Sequence, residues 1–308
     1  MWSDFRLIMI SAMYENGGNF THRTLDGHPE LFVYPFESQL GTRFVNDRFS
    51  SLFPVKYRWP QFPLDGTAET DFESIIDEET RVRARTPYVS KFRTAEFEFS
   101  DEDRRTAYVR LVKTQTRSRA VNVAAFFKST FEAWRNRKSS GRESHYVGYS
   151  PIIAVDAEDI LNDLPSAHVI HVVRNPWSAY ADTKKRPVPM ALRDYIQVWC
   201  IVQQMALAAA KLFPGRMHVV RAEDVMSDPV GALRESCTSI GIAAGDSMKR
   251  PTWNGAPLSE LTPWGTIRVP TPEANLATAN ELSGAEKDEI AMRAAPLIAH
   301  FAYDSILR

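Results

Sequence analysis

Short apolar runs alternate along this chain with segments that have the hydrophobic spacing of amphipathic helices. The first run, at residues 7–10, is bounded by turn residues and is typical of a buried parallel strand. Similar runs at residues 169–173 and 217–220 predict two further strands. Because each strand is followed by a helical segment, the pattern predicts an α/β fold with a central parallel sheet flanked by helices on both faces.

Capping residues mark where the predicted helices begin. Asn175 and Pro176 predict a helix start directly after the second strand, since asparagine caps helices and proline fits their first turn. Three later helices are predicted on similar grounds, namely at residues 191–212, after Asp228, and from the capping box of Ser283 and Glu286 to Phe301.

The stretch at residues 54–150 differs from the rest of the chain. It is rich in charged and aromatic residues and has little strand pattern, although residues 121–134 have helical spacing. We expect a single domain over residues 1–308, with residues 54–150 forming a helical insertion over the sheet. Such an insertion is a natural place for a substrate pocket.

Composition and charge exclude some classes of function. Of 308 residues, 44% are hydrophobic, and 37 basic side chains are balanced by 38 acidic ones. A formal net charge of −1 lacks the basic field that nucleic-acid binding requires. Cys200 and Cys237 have neither metal nor redox spacing. The N-terminal apolar run is too short for a signal peptide or a membrane span, so we expect a cytoplasmic protein.

A glycine turn follows the first predicted strand and opens the first predicted helix. Backbone N–H groups at such a helix start, near the positive end of the helix dipole, form an anion site. The segment contains Gly17 and Gly18 but no Gly-Lys-Ser/Thr sequence, so it is not a Walker A loop. By itself, the segment is equally consistent with a plain tight turn.

Arg174 stands at the carboxyl end of the second predicted strand, which is where α/β sheets bind ligands. Its planar guanidinium suits the oxygens of a phosphate group. The alternative for an arginine at this position is a structural ion pair. The residue pattern alone leaves both interpretations open.

Several further segments stand in order along the chain with the glycine turn and Arg174. The full series is Asn-Gly-Gly-Asn-Phe at 16–20, the His-Pro-Glu stretch at 25–31, Pro-Phe-Glu at 35–37, the strand entering Arg-Asn-Pro at 164–176, and residues 214–216, 220–224, 228–229 and 251–268. Taken in order, these segments resemble the bacterial-type sulfotransferases that use 3′-phosphoadenosine 5′-phosphosulfate. The resemblance implies a P-loop-like nucleotide-binding fold, this nucleotide as the donor co-substrate, and no metal. Residues 54–150 contribute nothing to it.

The resemblance also implies roles for individual residues. The glycine turn would hold the donor's 5′-phosphosulfate, Arg174 would bind its 3′-phosphate, and Glu37 would be the general base that takes the acceptor's proton. His22 and His28 compete for the role of base, although the proline after His28 favours a structural role in a turn. The other implied donor-binding residues are Asn16, Gly17, Gly18, Asn19, Phe20, Thr183, Gly265, Thr266 and Arg268.

Three positions depart from the family's pattern. Glu15 stands where a lysine or arginine is usual, Asp182 stands where a serine is usual, and Tyr149 replaces a common lysine. A carboxylate beside a phosphate is repulsive, by about 1–4 kcal/mol for effective dielectrics of about 80 to 20. We expect Asp182 to point away from the site, with Thr183 supplying the hydroxyl, because Asn175 and Pro176 still fix the helix start and Thr183 is only one residue away. The alternative is that Asp182 faces the site and selects a ligand without that phosphate, or binds the phosphate through a cation. The cations nearby in sequence that are candidates to compensate are Arg23, Lys184 and Lys185.

The leading hypothesis is a sulfotransferase that moves a sulfuryl group from this donor to a hydroxyl or amine of a small-molecule acceptor. One alternative is an enzyme of the same fold with an altered donor, performing metal-assisted phosphoryl transfer with Glu15 and Asp182 as magnesium ligands. Another is a degenerate, non-catalytic binding protein. We expect neither a nucleic-acid nor a membrane partner, and a homo-oligomer is left open.

Overall fold

A five-stranded parallel sheet forms the centre of the protein, for which a computed structural model describes residues 5–89, 93, 95–258, 271–304 and 306. The order across the sheet is β2-β3-β1-β4-β5, and every neighbouring pair is parallel. The strands are β1 Leu7–Ala12, β2 Leu31–Val33, β3 His145–Tyr149, β4 His168–Val173 and β5 Met217–Arg221, with β6 Thr252–Trp253 and β7 Ala256–Pro257 forming a separate antiparallel pair.

Helices lie between the strands and follow the last of them. No helix among the described residues has the length and apolar character needed to cross a bilayer. The helices are α1 Gly18–Leu25, α2 Ala68–Ser74, α3 Glu78–Arg85, α4 Asp101–Lys113, α5 Arg119–Ala133, α6 Ala157–Asp163, α7 Pro176–Thr183, α8 Leu192–Leu212, α9 Ala222–Ser227, α10 Pro229–Ile240, α11 Pro272–Ala279, α12 Gly284–Arg293 and α13 Ala295–His300, and short 3₁₀ turns lie at Val55–Tyr57, Pro87–Val89, Ile153–Asp156 and Asp246–Met248.

The three predicted strands and the α/β architecture are confirmed, and the structure adds β2 and β3 to the sheet. The hydrophobic pattern does not indicate either strand, because β2 has only three residues and β3 reads His-Tyr-Val-Gly-Tyr. The stretch at residues 54–150, expected to be a helical insertion, is therefore not helical throughout. They contain α2 to α5 and then β3, which pairs with β1 and β2 inside the sheet.

The predicted helix caps are present. The side chain of Asn175 accepts a hydrogen bond from the N–H of Ser178 at 2.9 Å, and Asp228 caps α10 in the same way. Ser283 and Glu286 form the predicted capping box. The helix that starts there is shorter than expected, since α12 ends at Arg293 and α13 follows as a separate helix. The break comes next to Pro296, because proline lacks the N–H that would continue the helix.

Apolar side chains pack on both faces of the sheet, and all six residues of β1 are buried. Leu7 and Met9 belong to a cluster with α4, α5 and α6, whereas Ile8 and Ile10 belong to one with α1 and α10. A third cluster joins α7, α8, α12 and α13. Within this sheet, Ala12 of β1 pairs with Val172 of β4, which brings the turn after β1 next to Arg174.

Candidate active site

The turn after β1 places the start of α1 at the carboxyl edge of the sheet. Gly17 has a φ of +84°, a backbone conformation that favours glycine. A side chain at Gly18 has no room, because its Cβ would lie 2.5 Å from the Tyr149 ring and 2.7 Å from the Ala12 Cβ. α1 has no side-chain cap, and the N–H of Thr21 bonds the Gly17 carbonyl at 3.0 Å. The N–H groups before Thr21 point beyond the helix end, as an anion site requires.

The buried side chain of Asn16 ties this turn to β4 and α8. Its oxygen accepts hydrogen bonds from the backbone N–H of Arg174 at 3.1 Å and from the indole of Trp199 at 3.2 Å. Its amide donates to the carbonyl of Tyr14 at 2.7 Å, and its backbone N–H donates to that of Met13. Asn16 therefore holds the turn in place, and the polar atoms of its side chain are already used in hydrogen bonds within the protein.

Arg174 is 1% exposed and is bonded by three parts of the chain. Its Nη1 donates to the carboxylate of Asp182 at 2.8 Å and to the carbonyl of Glu15 at 2.7 Å. Its Nε donates to the side chain of Asn275 at 2.7 Å, and its Nη2 has no partner among the described residues. The expectation that Asp182 points away is wrong, because this carboxylate is 1% exposed and a buried charge requires an opposite one.

Other polar residues near Arg174 are also engaged within the protein. The hydroxyl of Thr183 donates to the carbonyl of Ala179 at 2.7 Å, as serine and threonine often do inside helices. The Thr183 hydroxyl is therefore used inside α7 and does not take the place that was expected for it at the donor site. Lys185 lies 3.4 Å from Asp182 and gives that carboxylate a second cation.

A hydrogen-bond network centred on Glu223 is linked to Arg174 through Asn275, which bonds both side chains. The sequence pattern predicts no role for Glu223. One oxygen of Glu223 accepts from the backbone and side chain of Asn175 and from the amide of Asn275 at 3.0 Å. The other accepts from the hydroxyl of Tyr303 at 3.0 Å. Glu223 lies in the Arg-Ala-Glu-Asp segment that the resemblance includes, but its partners come from distant parts of the chain.

Glu37 lies half-buried next to three tyrosines. We call the four residues the mouth, namely Tyr14, Glu37, Tyr57 and Tyr149. Ser38 donates its N–H to the carbonyl of Tyr149 at 2.7 Å, which holds Glu37 at the end of β3. The Tyr57 hydroxyl bonds the Glu37 carboxylate. Burial raises the pKa of Tyr14 to about 12 and also raises the pKa of Tyr57 and Tyr149. These hydroxyls therefore remain neutral donors around a carboxylate near physiological pH.

The two histidines differ from Glu37 in their access to the mouth. His22 is fully buried, its ring contacts the guanidinium of Arg23 at 2.8 Å, and burial lowers its pKa well below the usual range. The ring of His28 bonds the carbonyl of Ala243 at 2.7 Å, which agrees with the structural role expected for it. Of the three side chains considered for the role of base, Glu37 is half-buried at the mouth, whereas His22 and His28 are buried.

The remaining predicted residues fall into two groups. Asn19 is half-buried in the first turn of α1, and Phe20 packs into the core on the side of α10. Gly265, Thr266 and Arg268 lie outside the described residues. Within the part of the chain that the structure describes, no group of three or more His, Cys, Asp or Glu side chains is arranged to hold a metal ion.

Comparison with known proteins agrees with this geometry. A family model described as "Sulfotransferase family" matches residues 16–246, from the glycine turn to beyond α10. The chain belongs to the sulfotransferase family. A search of curated proteins gave no significant match. The predicted family, its α/β fold and its class of enzyme are therefore confirmed.

Two solved structures share this sulfotransferase fold. The sulfotransferase domain from the Synechococcus PCC 7002 olefin synthase is 16% identical, with a TM-score of 0.52 over 94% of each chain. The sulfotransferase domain from the curacin biosynthetic pathway is 15% identical, with a TM-score of 0.52 over 94% of this chain and 98% of its own. At these identities the likeness concerns the fold alone.

Proposed function

We propose that this sulfotransferase moves a sulfuryl group from 3′-phosphoadenosine 5′-phosphosulfate to a hydroxyl or amine of a small molecule. One observation carries the proposal. The uncapped start of α1 and the guanidinium of Arg174 lie at the carboxyl ends of the neighbouring strands β1 and β4. A helix start and an arginine side by side suit a ligand with two separate anionic groups.

Each part of the site has a task in this reaction. The N–H groups at the start of α1 bind the 5′-phosphosulfate, and Arg174 binds the 3′-phosphate through its Nη2, which has no partner in the described part of the chain. The acceptor oxygen or nitrogen attacks sulfur, the bond from sulfur to the bridging phosphate oxygen breaks, and Glu37 takes the acceptor's proton. The products are the sulfated acceptor and 3′-phosphoadenosine 5′-phosphate. Gly265, Thr266 and Arg268, which lie outside the described residues, remain predicted donor-binding residues, and we propose that they close over the 3′-phosphate.

The acceptor enters at the mouth in this proposal. Tyr57 belongs to the largely helical region at residues 54–150, and its ring lies 6.2 Å from that of Tyr14 in an edge-to-face arrangement. Aromatic walls around a carboxylate suit a small organic acceptor, because they exclude water from the proton that Glu37 removes. A cytoplasmic location and the absence of nucleic-acid or membrane partners remain predictions.

Metal-assisted phosphoryl transfer has less support than sulfuryl transfer. It requires Glu15 and Asp182 to share a metal ion, but Asp182 is paired with Arg174 at 2.8 Å and with Lys185 at 3.4 Å. A carboxylate that is already neutralised by two cations is a poor magnesium ligand. The same Arg174–Asp182 ion pair favours the alternative of a non-catalytic binding protein. In this pair Asp182 occupies part of the Arg174 guanidinium, which the donor's 3′-phosphate would need.

The test is an assay of sulfated products with the purified protein. It is incubated with the labelled donor and a panel of phenols, alcohols and amines, with either excess chelator or added magnesium. We expect transfer of label to an acceptor, unaffected by the chelator, and loss of this transfer in Glu37→Gln. Nucleotide binding without transfer to any acceptor would favour the binding protein, and a strict magnesium requirement would favour phosphoryl chemistry.

A further inference from the structure

Arg186 is the least tightly paired of the three consecutive cations that follow α7. Lys184 contacts Glu286 at 2.7 Å, and Lys185 contacts Glu281 at 2.5 Å. Among the described residues, Arg186 has its closest carboxylate contact with Glu15, where its Nε lies 3.9 Å from a carboxylate oxygen, and 36% of its side chain is exposed. Lys184 and Lys185 therefore form close ion pairs, whereas Arg186 makes a longer contact and is partly exposed to solvent.

The guanidinium of Arg186 lies next to the turn after β1. It lies over the ring of Tyr14, with its Cζ 4.9 Å from the ring centre. It also interacts electrostatically with the hydroxyl of Tyr149, whose ring leaves no room for a side chain at Gly18. Arg186 therefore contacts two consecutive residues, Tyr14 and Glu15, that lead into α1.

Glu15 is an obstacle to an anionic ligand at this turn. It is a non-glycine residue with a φ of +57°, and its carbonyl is held by Arg174 at 2.7 Å, so its backbone is fixed. Glu15 stands three residues before Gly18, where α1 and the N–H groups that would receive the anion begin. An unpaired carboxylate there repels a phosphosulfate, and the repulsion is strong where water is excluded.

The cations expected from sequence to offset this charge do not reach it. Arg23 is buried and donates to the carbonyl of Tyr34 at 2.7 Å, on the inner side of α1. Lys184 and Lys185 make the ion pairs described above, with acids other than Glu15. Arg186 is the cation that contacts Glu15 through its side chain in the described part of the chain.

We propose that Arg186 is a positioning residue that neutralises Glu15 and thereby allows the turn after β1 to hold an anionic group. The inference rests on the proposed function and deepens it, because it assigns the counter-charge for the donor's phosphosulfate. Arg186 acts through Glu15 in this account, and the N–H groups of α1 bind the anion.

The test compares Arg186→Gln with Lys184→Gln, a control that removes a neighbouring charge not paired with Glu15. Calorimetry measures the binding of 3′-phosphoadenosine 5′-phosphate and, separately, of inorganic pyrophosphate. We expect Arg186→Gln to weaken both by about tenfold or more, and Lys184→Gln to change them by less than about twofold. Arg186→Lys retains the charge and is expected to bind nearly as well as the natural protein.

The double variant Glu15→Gln/Arg186→Gln decides how Arg186 acts. Removal of both charges is expected to restore binding to within about threefold of the natural protein, which loss of a purely structural contact would not do. If the double variant binds as poorly as Arg186→Gln, Arg186 contacts the anion directly and the neutralising role is overturned. Equal losses in Arg186→Gln and Lys184→Gln would also overturn it.

Pyrophosphate separates this inference from the donor assignment. If the natural protein binds pyrophosphate but not the nucleotide, the proposed donor fails, and the role of Arg186 is still judged from its variants. If the natural protein binds neither, both proposals are wrong, because the turn is then not an anion site.

Discussion

The pairing of Arg174 with Asp182 predicts an unusual gain of function from a single substitution. The two side chains are 2.8 Å apart and each is 1% exposed, so water screens them weakly. A 3′-phosphate that reaches the Nη2 of Arg174, for which the described residues supply no partner, would come close to the Asp182 carboxylate. Asp182→Asn keeps the shape and an oxygen acceptor for Nη1 but removes the negative charge. We expect this variant to bind 3′-phosphoadenosine 5′-phosphate at least about tenfold more tightly.

The magnitude follows from the geometry of the pair. Two like unit charges roughly 5 Å apart interact by about 3 kcal/mol at an effective dielectric of about 20. Part of this repulsion is already offset by Lys185, which lies 3.4 Å from Asp182. We therefore expect the binding free energy to improve by at least about 1.4 kcal/mol, which is tenfold in affinity. The ligand-free variant should be less stable, since removal of one member of a buried ion pair costs up to about 3–5 kcal/mol.

The assay is calorimetric titration of the natural protein and Asp182→Asn with two nucleotides. AMP lacks the 3′-phosphate and is the matched control, so its affinity should not change. An equal gain for AMP would show that the effect is not at the 3′-phosphate. An unchanged affinity for 3′-phosphoadenosine 5′-phosphate in a folded variant would refute the assignment of Arg174 to this phosphate.

Four further outcomes follow from the same structure. Glu37→Gln should lower turnover by roughly 10²–10⁴ with an unchanged dissociation constant for 3′-phosphoadenosine 5′-phosphate, as single-turnover assays and calorimetry can measure. Thr183→Ala should leave nucleotide affinity within about twofold in the same titrations, because its hydroxyl bonds Ala179. Gly18→Ala should lower the free energy of unfolding in urea by about 1–3 kcal/mol and weaken pyrophosphate binding, because its Cβ would overlap Tyr149. Burial lowers the pKa of His168 to about 4, below the unfolded value near 6.5, so this residue alone should take up to about 3 kcal/mol from the unfolding free energy between pH 6.5 and 4, and His168→Asn should make the fall over this range smaller by about that amount.

Local patterns were sufficient for much of the fold. The runs that became β1 and β4 are mostly aliphatic, and all residues of both strands are buried, as expected for strands covered on both faces. The caps at Asn175, Asp228 and Ser283 were predictable because each side chain bonds a backbone N–H three residues later. The glycines of the turn after β1 were recognisable too, since a positive φ and close packing against Tyr149 leave room for no other residue.

Sequence alone determined which segments are strands and helices where the interactions that form them are local. Tertiary structure decided the insertion of β3 between β2 and β1, because a strand with few aliphatic residues is defined by its partners in the sheet. It also decided the orientation of Asp182 and the contact of Arg186 with Glu15. The physical reason is that a charge is stabilised by whichever opposite charge folding buries beside it, and that partner can lie anywhere along the chain.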